Sequence, residues 1–505
     1  MSDAAEQAGI DTSRNDKNGN DEPAPEATSP TDDVVTTRHV LTVDGEELAY
    51  TATAGRIVIR EEEVADGVFR GVKPKAELFV VSYVADDTDT ATRPVTFIFN
   101  GGPGSPSLWL HLGLFGPRRI VAGDVDDRVG APFELADNPE SLLAQSDLVF
   151  IDPLTTGYSR AADGVDQSRY HGYSSDRDLV GEVIRLWTSR NDRWLSPKFL
   201  AGESYGTLRA AALAGHLTRR HGMTFNGVVL LSSILNMGTA HFTAGNDAPY
   251  VFYLPTYAAM AHYHGKHPGR SLADVVAEAR EFAEHEYAYA LLAGNRLDDQ
   301  SMHTVAGRLA ALIGVDVDYV IRARLRVEHT HFFAELLRAE HKTIGRLDGR
   351  FVGDPEDLNA ARSTVDPSYT AIQYPYTAAA NHYYAAELGY RSDLPYEILT
   401  DRVHPWSYSE FENASATAAD DLAYAMRTNP DLQVYVAYGY YDGATPFAAA
   451  EHVFANLAIP ARLQANITGH YFESGHMMYI HDPARRAQSR QIADFVRGAG
   501  QKRVV

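Results

Sequence analysis

Residues 199–215 read Phe-Leu-Ala-Gly-Glu-Ser-Tyr-Gly-Thr-Leu-Arg-Ala-Ala-Ala-Leu-Ala-Gly, an apolar run joined to a helical run through Gly202-Glu203-Ser204-Tyr205-Gly206. The G-x-S-x-G spacing predicts a nucleophile elbow, with Ser204 on a tight strand-to-helix turn and a small residue two positions to either side so that the strained backbone clears its neighbours. Its hydroxyl then stands at a helix N-terminus, where backbone N–H groups stabilise a developing oxyanion. The flanks agree: 198–201 suits a buried parallel strand, and 207–218 is rich in Ala and Leu with no internal Pro. An ordinary Gly-rich strand-helix turn is the alternative that the rest of the chain must decide against.

Around this stretch the texture of the chain is that of an α/β protein. Residues 37–43, 47–53 and 56–60 alternate apolar and polar side chains with Asp-Gly and Ala-Gly turn signals between them, and 77–84 continues the pattern, so antiparallel strands are expected near the start. From Val95 the runs become almost continuously apolar, at 95–99, 148–152, 199–201 and 228–232, as parallel strands covered on both faces require. Helical stretches such as 176–189 lie between them, and the alternation places ligands at the carboxyl ends of the strands. From about 238 to about 400 the strand signal fades into helical periodicity; the sheet resumes at 432–438 and 461–468, and 482–497 reads as a closing helix. The expected division is a disordered acidic tail over 1–34, an α/β-hydrolase core over 35–237 and 401–505, and a helical insertion, a cap or lid, over 238–400. The Tyr-rich segments of that insertion, including Tyr374, Tyr376, Tyr383 and Tyr384, read as buried aromatics that also bind solvent or backbone, and His262, His264 and His267 as a solvated turn, since three histidines without a nearby carboxylate make a poor zinc site.

Composition removes several function classes. With 67 acidic against 45 basic side chains among 505 residues, the formal charge of −22 argues against a nucleic-acid surface or an anionic membrane as partner. The absence of cysteine excludes disulfides, thiolate metal sites and a thiol nucleophile. No run of about 18 apolar residues is present, and 1–33 lacks the basic and apolar segments of a signal peptide, so a cytoplasmic location is expected. A homo-oligomer is compatible with the sequence.

An elbow serine needs a base, an orienting acid and an oxyanion hole, and in α/β-hydrolases the partners follow in the order Ser, acid, His. Asp442 ends the late strand and precedes Gly443-Ala-Thr-Pro446, a turn; a turn-forming or capping aspartate is the other reading, and Asp431 and Asp420 are weaker acids because they precede the strand. His470 and His476 both qualify as base, and position favours His476, just before the closing helix. Asn100-Gly-Gly-Pro-Gly104, directly after the strand ending at Phe99, supplies a loop whose backbone can approach a substrate, with the N–H groups of Gly102 and Tyr205 as the two donors.

Taken together these residues resemble the serine carboxypeptidases. The likeness rests on Phe99-Asn-Gly-Gly-Pro-Gly-Ser-Pro-Ser107 with Gly116-Pro117, on Asp152-Pro-Leu-Thr-Thr-Gly-Tyr-Ser159, on the elbow, on Tyr441-Asp442 and on Gly475-His476-Met477. It implies an α/β-hydrolase fold with a mostly parallel central sheet, no cofactor and no metal, and release of a C-terminal amino acid from a peptide with a free C-terminus. It further implies Ser204, Asp442 and His476 as the triad, Asn100, Gly101 and Glu203 as the holders of the substrate carboxylate, and Met477 in the pocket for the leaving residue. Glu203 can donate to an anion only when protonated, so peptide binding should weaken as pH rises.

The chain also departs from that family. Leu114 stands where many members carry a glutamate paired with the elbow glutamate, which removes like-charge repulsion as a reason for a raised Glu203 pKa. Ser105 replaces the usual cysteine of the Gly-rich loop, Met478-Tyr479 lacks the usual proline, and these changes fit a prokaryotic, cysteine-free branch. An esterase or acyltransferase using the same triad is the second expectation, and a catalytically silent binding protein with this fold the third.

Overall fold

The computed structural model describes residues 30–501 except 44 and 126. The acidic tail expected over 1–34 lies outside the described residues up to 29, and 33–34 already belong to the first strand. A ten-stranded sheet runs through the molecule. Its main strands are β1 (Asp33–Val43), β2 (Glu46–Ala65), β3 (Val68–Ala85), β4 (Val95–Phe99), β5 (Asp147–Ile151), β6 (Lys198–Glu203), β7 (Gly227–Leu231), β8 (Gln433–Gly439) and β9 (Ile467–Phe472). Their spatial order is β1-β2-β3-β5-β4-β6-β7-β8-β9, and a two-residue strand, Arg160–Ala161, pairs with β3.

The pairs β1/β2, β2/β3 and β3/β5 are antiparallel. Every pair from β5 to β9 is parallel. The apolar runs explain this half of the sheet: along β7, Val228 and Leu230 enter the core on one face while Val229 and Leu231 enter the core on the other. Each such side chain contributes about 1.5–3 kcal/mol by leaving water, which a strand covered on one face alone could collect at only half its positions. One face packs against α1 (Tyr173–Arg190), α2 (Tyr205–His221) and α3 (Ala248–Tyr263), the other against α6 (Pro367–His382) and α9 (Asp482–Gly500). Between β7 and β8 the chain is mostly helical, and α4 (Leu272–Phe282), α5 (Asp299–Ile313) and α6 follow α3 there; α7 (Ala419–Thr428) leads into β8 and α8 (Phe447–Ala455) joins β8 to β9. The α/β-hydrolase fold expected from the sequence is thus the one observed.

Two local expectations are corrected. The Ala-Gly pair at 54–55 is no turn: 47–53 and 56–60 are one strand, β2, and a Cβ at Gly55 would overlap the Asp33 carbonyl oxygen of β1. Glycine there admits a close backbone approach, and the real turn is at Asp66-Gly67. Residues 461–466 form a 3₁₀ turn, and β9 begins only at Ile467.

The His-rich turn is also less exposed than expected. His264 Nε2 bonds the Gly349 carbonyl at 2.7 Å and His267 Nε2 that of Ala311 at 3.1 Å. Both rings tie backbone segments together.

Candidate active site

Four strand ends converge. Asn100 follows β4, Ser204 follows β6, Asp442 lies three residues beyond β8 and His476 four beyond β9. At the elbow, Ser204 adopts φ 60° and ψ −130°, a region that side-chain-bearing residues rarely occupy. The two glycines make that turn physically possible. A Cβ at Gly202 would overlap the Gly206 carbonyl oxygen, and one at Gly206 would stand 2.8 Å from the Phe99 carbonyl oxygen. Ser204 N–H donates to the Leu231 carbonyl at 3.0 Å, which ties the strained residue to β7.

His476 and Asp442 are joined directly: Nδ1 of the ring lies 2.8 Å from Asp442 Oδ2. The same carboxylate accepts N–H bonds from Ala444 at 2.8 Å and Thr445 at 2.9 Å on Oδ1, and the Thr445 hydroxyl at 2.6 Å on Oδ2. Burial pushes the Asp442 carboxyl up, but the His476 charge and these hydrogen bonds outweigh it and hold the group below the ordinary carboxylate value. For His476, burial pushes the imidazole down, and the charges of Asp442 and then Glu203 outweigh that and raise it. An ionised acceptor at Nδ1 keeps the proton on that nitrogen and leaves Nε2 as the basic atom. His476 and Ser204 line one cavity of about 450 Å³. Among the described residues no hydrogen bond joins the Ser204 hydroxyl to the ring.

The loop after β4 lies against the elbow. A Cβ at Gly101 would stand 2.5 Å from the Tyr205 nitrogen, and Gly102 has φ +103°. Tyr205 is the first residue of α2, where an N–H has no acceptor within the helix. The backbone of Gly101 therefore lies against that of Tyr205, and Gly101 and Gly102 line the cavity. Gly104 is covered in turn, because a Cβ there would meet the Thr400 carbonyl oxygen at 2.5 Å.

Glu203 lines the same cavity. Asn100 Nδ2 donates to its Oε1 at 2.9 Å, while Oε2 is buried and meets no donor at full hydrogen-bond geometry among the described residues; the buried Tyr479 hydroxyl near the carboxyl is likewise unpaired and favours the ionised form. Burial raises its pKa from 4.5 to about 7, with His476 working against the rise. Leu114 is buried and apolar, so no second carboxyl stands at that position; desolvation supplies most of the shift instead, and the Asp442 charge adds to it. Asn100 is itself fixed: its Oδ1 accepts from Leu110 N–H at 3.1 Å, and its carbonyl accepts from Arg209, which is buried and paired with Asp176 at 2.7 Å. Met477 is buried and lines the same cavity.

Several residues that hold this site carried no sequence signal. His476 N–H donates to the Leu347 carbonyl at 2.6 Å, and the Ser232 hydroxyl donates to the His476 carbonyl at 2.6 Å. Asp348, paired with Arg350 at 2.7 Å, accepts from Gly475 N–H at 3.1 Å. Arg346, Tyr369 and Leu399 form further wall. Such contacts pair positions from 127 to 244 residues apart, which no spacing in the chain announces. The other base candidate, His470, sits within β9 and stacks on Tyr435 at 4.5 Å. Asp420 and Asp431 are exposed. Among the described residues no group of three or more His, Asp or Glu is arranged to hold a metal ion, and no helix is long and apolar enough to cross a membrane.

Residues 66–267 match the sequence model of the serine carboxypeptidase family, which bears out the likeness carried by the motifs. Asn100, Glu203 and Ser204 fall inside that stretch, and Asp442 and His476 fall beyond it. Among solved structures the chain is similar to Kex1(Δ)p, a prohormone-processing carboxypeptidase from Saccharomyces cerevisiae, at 14% identity and a TM-score of 0.54, covering 89% of this chain and 91% of that one. It is also similar to the proline iminopeptidase of Mycobacterium smegmatis at 12% identity and a TM-score of 0.36, covering 88% and 98%. No curated protein matches the sequence significantly. At these identities the structural likeness speaks to the fold. Family match and fold together support a serine hydrolase.

Proposed function

We propose that the protein is a serine carboxypeptidase that removes the last residue from peptides with a free C-terminus. Ser204 Oγ attacks the carbonyl carbon of the terminal peptide bond while His476 Nε2 takes its proton. The resulting oxyanion accepts from the N–H groups of Gly102 and Tyr205, which are fixed before reaction and cost no reorganisation during it. The C–N bond then breaks, His476 returns the proton to the leaving amine, and water, deprotonated by the same ring, hydrolyses the acyl-serine. Asp442 holds the ring in the required tautomer throughout and stabilises the imidazolium that forms.

The observation that supports an exopeptidase is the Glu203 carboxyl. It is buried beside Ser204, bonded through one oxygen and, among the described residues, without a donor at full hydrogen-bond geometry on the other. Protonated up to about pH 7, it has a hydrogen to offer a substrate carboxylate, alongside Asn100 and the backbone of Gly101. Met477 then lines the pocket of the leaving residue, and the stretch 238–400 acts as a cap that supplies walls such as Arg346 and Tyr369.

A blocked dipeptide with a free carboxylate, its amide and its ester, assayed side by side, test this reading. The free acid should be cleaved at least tenfold faster than the amide, and Ser204→Ala should abolish turnover with the fold intact. Equal rates on acid and amide would remove the carboxylate clamp. An esterase or acyltransferase on the same triad shares the acyl-enzyme, and a rate confined to the ester would select it.

A further inference from the structure

Arg346 has no counterpart in the chemistry above. Its backbone is bound into the site: its N–H donates to Asp366 Oδ1 at 3.2 Å, and the next residue, Leu347, receives the N–H of His476. Its side chain is exposed on the wall of the cavity that Ser204 and His476 share. Among the described residues the guanidinium makes no ion pair and no side-chain hydrogen bond. Asp366 and Asp401 also line the cavity, and neither forms an ion pair with the guanidinium. Asp366 Oδ1 is occupied by the N–H groups of Arg346, Ser368 and Tyr369 and by the Ser368 hydroxyl. The charge nevertheless reaches the base, since it opposes protonation of His476.

We infer that Arg346 is a specificity residue that favours peptides with a glutamate or aspartate beside the scissile bond. The inference rests on the carboxypeptidase reading and deepens it. A chain of net charge −22 repels acidic peptides at long range, so an unpaired cation inside the cavity is a local device that reverses that preference where the substrate binds. A guanidinium can take a carboxylate through two parallel N–H bonds, which gives it more than point-charge attraction. The exposure of the side chain makes the interaction sensitive to salt.

Binding to the Ser204→Ala protein separates this inference from the reaction. Calorimetric titration with N-blocked dipeptides carrying Glu or Gln at the last or the penultimate position should give about tenfold tighter binding for Glu at one of the two positions. That ratio should fall in 0.5 M NaCl, collapse towards one in Ser204→Ala/Arg346→Gln, and survive in part in Ser204→Ala/Arg346→Lys. A ratio of one or less at both positions, a ratio that persists in the Gln variant, or no binding of any of the four peptides would overturn the inference. Cleavage of the neutral peptides by the intact enzyme addresses the carboxypeptidase reading separately.

Discussion

At the scale of single residues, Glu203 ties stability, and in the proposed reading substrate binding, to one proton. An unfolded chain titrates this carboxyl near 4.5, whereas burial holds it near 7 in the folded protein. The fold therefore favours the protonated form, and the contribution is whole below about pH 4.5 and is lost as pH rises to about 7. Above that the ionised group costs about 3 kcal/mol relative to a neutral isostere. Glu203→Gln should accordingly gain stability relative to the parent between pH 4.5 and 8, read as a growing difference in denaturant midpoint. In the parent, KM for a free-acid peptide should rise above about pH 7 while KM for its amide stays level, and the rise should vanish in Glu203→Gln. A flat KM in the parent would contradict the proposed role. The sequence told where Glu203 stands, next to Ser204, but argued from Leu114 that its pKa had lost its cause; desolvation is a property of packing and was not legible.

Elements explain why the site is rigid. The elbow works because two glycines let β6, α2 and the β4 loop touch backbone to backbone, so Gly202→Ala should destabilise the protein by about 3 kcal/mol through overpacking against Gly206. An unchanged urea midpoint would contradict this. The His476 loop depends on a different element: Asp348 and Arg350 are buried, paired, and bonded to Gly475 and Ser474. Asp348→Ala should cost about 3 kcal/mol by leaving Arg350 without its nearest anion, and should lower kcat more than it raises KM. Wild-type kcat in a folded variant would show that the loop is held by other means. The elbow was readable because its two glycines lie within five consecutive residues. The Asp348 anchor was not, because it belongs to a segment whose periodicity announced helices and nothing of what they touch. The same limit explains Gly55, where a strand glycine that admits its neighbour looks like a turn until the register of β1 and β2 is known.

For the whole molecule, the continuous apolar runs predicted a parallel sheet and the early alternation predicted antiparallel strands, and both halves are present with the expected sense. The order of strands, which brings 100, 204, 442 and 476 to one edge, follows from crossovers that periodicity does not encode; the motif order of Ser, acid and base stood in for it. The central claim is that this convergence makes Ser204 a nucleophile with His476 as its base. Labelling with a fluorophosphonate, followed by peptide mapping in the mass spectrometer, tests that claim most directly. One adduct per chain on Ser204, lost in Ser204→Ala and slowed at least a hundredfold in His476→Ala, is the predicted result; an unlabelled Ser204, or labelling indifferent to His476, would contradict it.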